Sequence, residues 1–135
     1  MKKIFTMVAV MLLSISILAP TTTAHAAKGG FGFTLRIGDN QGRDYSSNVE
    51  KTDSAGYGAA TTSYNDLVWS DKVYYRIHRK NWLNSRIAAT SYYQVTGNST
   101  INMWYFAGQA INGNNYQLEG DTDVYDAVVS GIWEP

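Results

Sequence analysis

The sequence predicts an all-β chain: a single antiparallel β-sandwich or barrel of about seven short strands, following an N-terminal leader. Three observations point there. Apolar residues alternate with polar ones at a period of two in the clearest segments, which only a strand places on one face. Turn-forming clusters recur every 8–12 residues or so, the spacing of sandwiches and barrels. The chain is also rich in strand-forming aromatics, with 10 Tyr, 4 Trp and 4 Phe among 135 residues, against only 2 Pro.

The elements follow in order. Phe31, Phe33, Leu35 and Ile37 alternate with polar or small residues and predict a first strand over 31–37. Gly38-Asp39-Asn40-Gln41-Gly42 reads as a turn, because Asn, Asp and Gly tolerate left-handed backbone. Residues 56–63 form a second, weaker strand. In 73–80, Val73, Tyr75 and Ile77 share one face, while Tyr74, Arg76, His78 and Lys80 share the other. A turn over 81–85 leads to an expected strand over 87–95. Thr96-Gly97-Asn98-Ser99 makes a hairpin turn into 101–106. Asn112-Gly113-Asn114-Asn115 turns the chain again, before strands at 116–119 and 124–133. In the last one, Tyr125, Ala127, Val129, Gly131 and Trp133 fall on one face. Gly131 is expected to mark a bulge or a close backbone approach.

Residues 1–26 have the form of a secretory signal peptide. Lys2 and Lys3 precede an apolar run over 4–18, and Ala24-His25-Ala26 supplies a small-x-small cleavage site. The apolar run is shorter than a membrane span requires. Cleavage after Ala26 removes two basic groups and no acid. The formal charge then falls from 0 for the full chain to −2, with nine basic and eleven acidic groups over 27–135. The expected location is extracellular, as one domain over 27–135. With no cysteine, the chain has no disulfide framework, thiol nucleophile or thiolate metal site. A mildly acidic domain is not expected to bind nucleic acid. No stretch after Ala27 is apolar enough to span a bilayer, and no cofactor motif is present.

Charge is distributed unevenly. Lys72, Arg76, Arg79, Lys80 and Arg86 lie in a stretch without acids, and no basic residue follows Arg86. Two accounts fit. The basic and acidic stretches attract one another across neighbouring strands, or the basic stripe takes a polyanion such as an anionic cell-wall polymer. On the second account Tyr74, Arg76, His78 and Lys80 form the candidate binding face. His78 is also the one histidine beyond residue 26, so any histidine-based catalysis would need it. No nucleophile elbow accompanies it, and the chain is read as non-enzymatic. Glu119, Asp121 and Asp123 have a spacing of two that would crowd three carboxylates on one strand face. A solvated turn after Gly120 relieves this; a weak calcium site is the alternative. Most aromatics are expected in the core, with a few left as a stacking platform for sugar rings.

Tyr116-Gln117-Leu118-Glu119-Gly120, followed by Val129-Ser130-Gly131-Ile132-Trp133-Glu134-Pro135, resembles the end of a family of small secreted Gram-positive proteins, domain of unknown function 2712. The resemblance implies export and a strand-rich body, and assigns no activity. In size and β-richness alone the chain is similar to lactococcin 972-type bacteriocins. The leading expectation is a secreted binding module for a cell-wall polymer, a carbohydrate or a protein. A bacteriocin-like effector and a small hydrolase are the alternatives.

Overall fold

The computed structural model describes residues 27–68, 70–123 and 126–135. The expected signal peptide, Val124 and Tyr125 lie outside these residues. Ten strand segments occur among them: β1 (Gly29–Arg36), β2 (Arg43–Tyr45), β3 (Val49–Glu50), β4 (Tyr57–Asn65), β5 (Val73–Lys80), β6 (Arg86–Ala88), β7 (Tyr93–Gln94), β8 (Thr100–Trp104), β9 (Asn115–Thr122) and β10 (Asp126–Glu134). They form two antiparallel sheets packed as a sandwich. One runs β1-β10-β4-β8. The other runs β2-β9-β5-β6, with β3 also on β9 and β7 also on β5.

The two-residue periods determine the core. Phe31, Phe33 and Leu35 of β1 are buried, as are Val73, Tyr75 and Ile77 of β5. Ala127, Val129 and Trp133 bury the same face of β10. The Phe31 and Tyr75 rings meet edge-on at 5.3 Å and join the two sheets. Tyr75 ends in a hydrogen bond with Thr62 at 2.9 Å, and burial pushes its phenol up to about 12. Ile37 departs from the expected alternation and is exposed. β1 ends at Arg36, whose carbonyl accepts from the Asp39 amide as the chain turns through Asn40, Gln41 and Gly42, all at positive φ.

Gly131 sits where the β10–β4 register shifts, with Ser63 as the extra residue on β4. A Cβ on Gly131 would fall 1.9 Å from the Thr61 carbonyl oxygen, so the close approach admits only glycine.

Three expectations are corrected. β2 and β3 have no signal in the sequence. They are short and polar, and their place comes from pairing with β9. The expected strand over 87–95 is broken into β6 and β7. His78 pairs with Ala88 and Tyr75 with Tyr93, so five chain steps on this side face three on β5. The two extra residues arch away at Thr90, whose hydroxyl accepts from the Ile77 amide. Thr90 itself bridges to Tyr105, beside the other sheet. Lastly, Gly120 to Thr122 continue β9 instead of forming a solvated turn. Among the described residues no helix is long and apolar enough to cross a membrane.

Candidate functional site

The outer face of the second sheet gathers most of the side chains singled out by the alternation in 73–80. Register places Arg76 opposite Glu119, Tyr74 opposite Asp121 and His78 opposite Gln117. On the far side of β9, Arg43 pairs with Asp121 and Tyr45 with Glu119. Direct partners in an antiparallel ladder share a face. One surface therefore carries two carboxylates between two guanidiniums.

Glu119 is the centre of this surface and is fully buried. It accepts a hydrogen bond from His78 Nε2, and the Tyr92 hydroxyl donates to its Oε1 at 2.9 Å. Arg76 Nη2 lies 3.5 Å from Oε2 and Arg43 Nε 3.6 Å from Oε1. Burial alone would raise the pKa of this carboxyl. The hydrogen bonds from His78 and Tyr92, with the charges of His78 and Arg76, outweigh it and hold Glu119 below its ordinary value of 4.5. With Glu119 ionised, His78 Nε2 must carry its hydrogen. The arch at 89–92 brings Tyr92 over the sheet, where its ring covers the Arg76 guanidinium at 4.0 Å. Burial, then the hydrogen bond and charge of Glu119, push the Tyr92 phenol well up.

Glu119 and Asp121 are thus relieved of mutual repulsion by Arg43, Arg76 and His78. Asp123 lies past the end of β9 and is exposed. Among the described residues no group of three acids or histidines is arranged to hold a metal, so the three acids of the calcium alternative do not converge. Arg76 and His78 are likewise turned inward onto Glu119, and the His78 ring is buried. They build the sheet surface. Of the four residues of the expected binding face, Lys80 lines an open cleft.

That cleft has a volume of about 720 Å³ and stands at one end of the sandwich. It lies between the β5–β6 turn, the β8–β9 turn and the β2–β3 connection. Five asparagines line it: Asn48, Asn81, Asn84, Asn114 and Asn115. Arg79, Lys80 and Trp82 complete its polar and aromatic wall, and no acid is among its lining residues. Asn81 fixes the turn. Its Oδ1 accepts from the amides of Leu83 at 3.0 Å and Ser85 at 2.8 Å, while Asn84 adopts φ 61°. Trp82 at the tip is held out into solvent, 90% exposed. A ring so placed adds little to the core and presents its faces to solvent.

Asn81, Asn84, Asn114 and Asn115 fall in stretches read from sequence as turns, while Asn48 carries no such reading. What sequence does not reveal is that three separate turns meet. A different exposed pair, Tyr57 and Trp104, stands on the outer face of the first sheet with ring centroids 5.2 Å apart. No protein-family model and no curated protein matches this chain.

Proposed function

We propose that this is a secreted, non-catalytic module that binds a hydroxylated extracellular polymer, a cell-wall glycan or related carbohydrate, in the cleft around Trp82. The observation that supports this most is the lining: five amide side chains beside one solvent-facing indole. Four of the amides offer both donors and acceptors, and Asn81, whose Oδ1 is held by the turn, offers its NH₂ donors, which suits neighbouring hydroxyls of a sugar. An indole held clear of the core offers a face on which a sugar ring can stack. An open cleft suits a segment of a chain better than a small molecule that must be enclosed.

The non-catalytic reading draws support from the disposition of His78. Its Nε2 is committed to Glu119 and its Nδ1 is buried without a hydrogen-bond partner. Neither nitrogen faces the cleft as an accessible base. Export rests on the form of residues 1–26.

The test is co-sedimentation of the 27–135 chain with purified Gram-positive cell walls, beside a Trp82→Ala variant. Wild type is expected in the pellet and the variant in the supernatant. Wild type that stays in the supernatant at every wall concentration removes the reading.

A further inference from the structure

The cations among the described residues fall into two groups. Lys28, Arg36, Arg43, Lys51 and Arg76 each stand within 4.0 Å of a carboxylate oxygen. Lys72, Arg79, Lys80 and Arg86 form no ion pair among the described residues; Lys72 precedes β5 at its other end, and the remaining three lie at the cleft end of β5 and β6. Lys80 and Arg86 are direct register partners across that ladder. Like charges placed opposite one another in an antiparallel pair repel.

The surroundings do little to offset this. Arg86 stacks on the Tyr45 ring at 3.7 Å and donates to Gln117 at 2.8 Å, both neutral groups. Arg79 donates from Nε to Gln109 Oε1 at 2.9 Å, which orients the guanidinium and leaves its charge unbalanced. The β5–β9 ladder ends at Arg79 and Tyr116, and Glu50 of β3 pairs with Asn115 on the other side of β9. Glu50 is thus separated from β5 by β9, and makes no ion pair with these cations. The acids of β9, Glu119 and Asp121, are taken up by Arg43, Arg76 and His78.

We infer that the polymer taken by the cleft is anionic: a hydroxylated chain carrying repeated acidic groups, read by Arg79, Lys80 and Arg86. This rests on the binding reading above and adds charge to it. Arg79 and Lys80 face the cleft with the amides and Trp82, and Arg86 extends the positive field along its rim. An anion between Lys80 and Arg86 would replace their repulsion with two attractive contacts. The same field would raise the rate of encounter with a polyanion and make binding salt-dependent.

The experiment measures affinity of the 27–135 chain for dextran sulfate, for neutral dextran of matched length and for a single-stranded DNA oligonucleotide, over a salt series. Wild type is expected to bind dextran sulfate, to weaken at least tenfold between low and physiological salt, and to bind dextran more weakly. A Lys80→Gln/Arg86→Gln double variant is expected to lose at least tenfold for dextran sulfate at low salt. Lys72→Gln, which removes an unpaired cation away from the cleft, is expected to change binding less than twofold. Equal, salt-independent binding of dextran and dextran sulfate overturns the charge inference and leaves the glycan reading in place. An equal loss in Lys72→Gln, or DNA bound as tightly as dextran sulfate, also overturns it, because binding would then follow net charge alone. Absence of binding to all three probes, together with failure to pellet with cell walls, removes both readings. Circular dichroism of each variant confirms that the fold is intact.

Discussion

Arg76 of β5 and Glu119 of β9 are direct register partners, with Arg76 Nη2 3.5 Å from Glu119 Oε2. Forty-three positions separate them in the chain. The pair joins the acid-free stretch around β5 to the basic-free stretch after Arg86, and it is buried on the Glu119 side. Around it, side chains from β2, from β5 and from the arch at 89–92 all converge on one carboxylate.

Replacing that carboxylate should be costly. Glu119→Gln leaves Arg43, Arg76 and His78 facing a neutral amide. The expected loss is about 3 kcal/mol, the low end for breaking a buried pair, because Arg43 and Arg76 keep some contact with water. Equilibrium denaturation in urea measures it. A variant within 1 kcal/mol or so of wild type would show that the network adds little to stability.

The same group sets an acid limit. Its folded-state ionisation lies below the ordinary 4.5, so between the two values the unfolded chain binds more protons. The stabilisation from Glu119 is therefore complete above 4.5 and is lost as pH falls through the folded value. Stability of wild type and Glu119→Gln should converge on acidification, and differ most near neutrality. Denaturation midpoints measured from pH 7 down to pH 3 give the comparison; a gap that stays constant contradicts it.

Trp133 is a core residue, 1% exposed, at the end of β10. Trp133→Ala should cost about 3–5 kcal/mol through lost burial and the cavity left behind. Gly131→Ala should cost about 1–3 kcal/mol for the opposite reason, since the new methyl meets the Thr61 carbonyl. Thermal unfolding distinguishes them from surface changes. A native-like midpoint in Trp133→Ala would show that the ring is not buried in solution.

Trp82 should behave in the reverse manner. At 90% exposure it contributes little to the core, so Trp82→Ala should leave stability within about 0.5 kcal/mol. A larger loss would assign the indole a structural role and remove it from the cleft's binding surface. This makes Trp82→Ala a clean probe of retention on cell walls.

The fold was legible in the sequence where one face is buried, and illegible where pairing is decided from outside. β1 and β5 show their period of two because a single slip would turn every apolar side chain into water. Arg43-Asp44-Tyr45 carries no such pattern, yet it forms a strand because β9 offers a free edge. The 87–95 stretch is rich in strand formers, but Thr90 substitutes its hydroxyl for backbone at Ile77 and the ladder breaks. The candidate face at Tyr74, Arg76, His78 and Lys80 was correctly read as one side of a strand. Its use was not legible, because occupation of Arg76 and His78 depends on the pairing of β5 with β9, which sets Glu119 beside them and which no local pattern encodes.

By itself, then, the sequence determined an all-β chain without disulfides, the inward sets of β1, β5 and β10, and the glycine of β10 at the register shift against β4. These follow from local alternation and from backbone geometry, which are properties of neighbouring residues. The tertiary structure alone decided which charges neutralise one another and which do not. Coulomb attraction depends on distance in space, and β9 brings its acids to Arg43, Arg76 and His78 while leaving Arg79, Lys80 and Arg86 unmatched beside a cleft. The basic stretch that reads as one stripe along the chain is therefore two things in the fold: half of a closed network, and the open half of a surface.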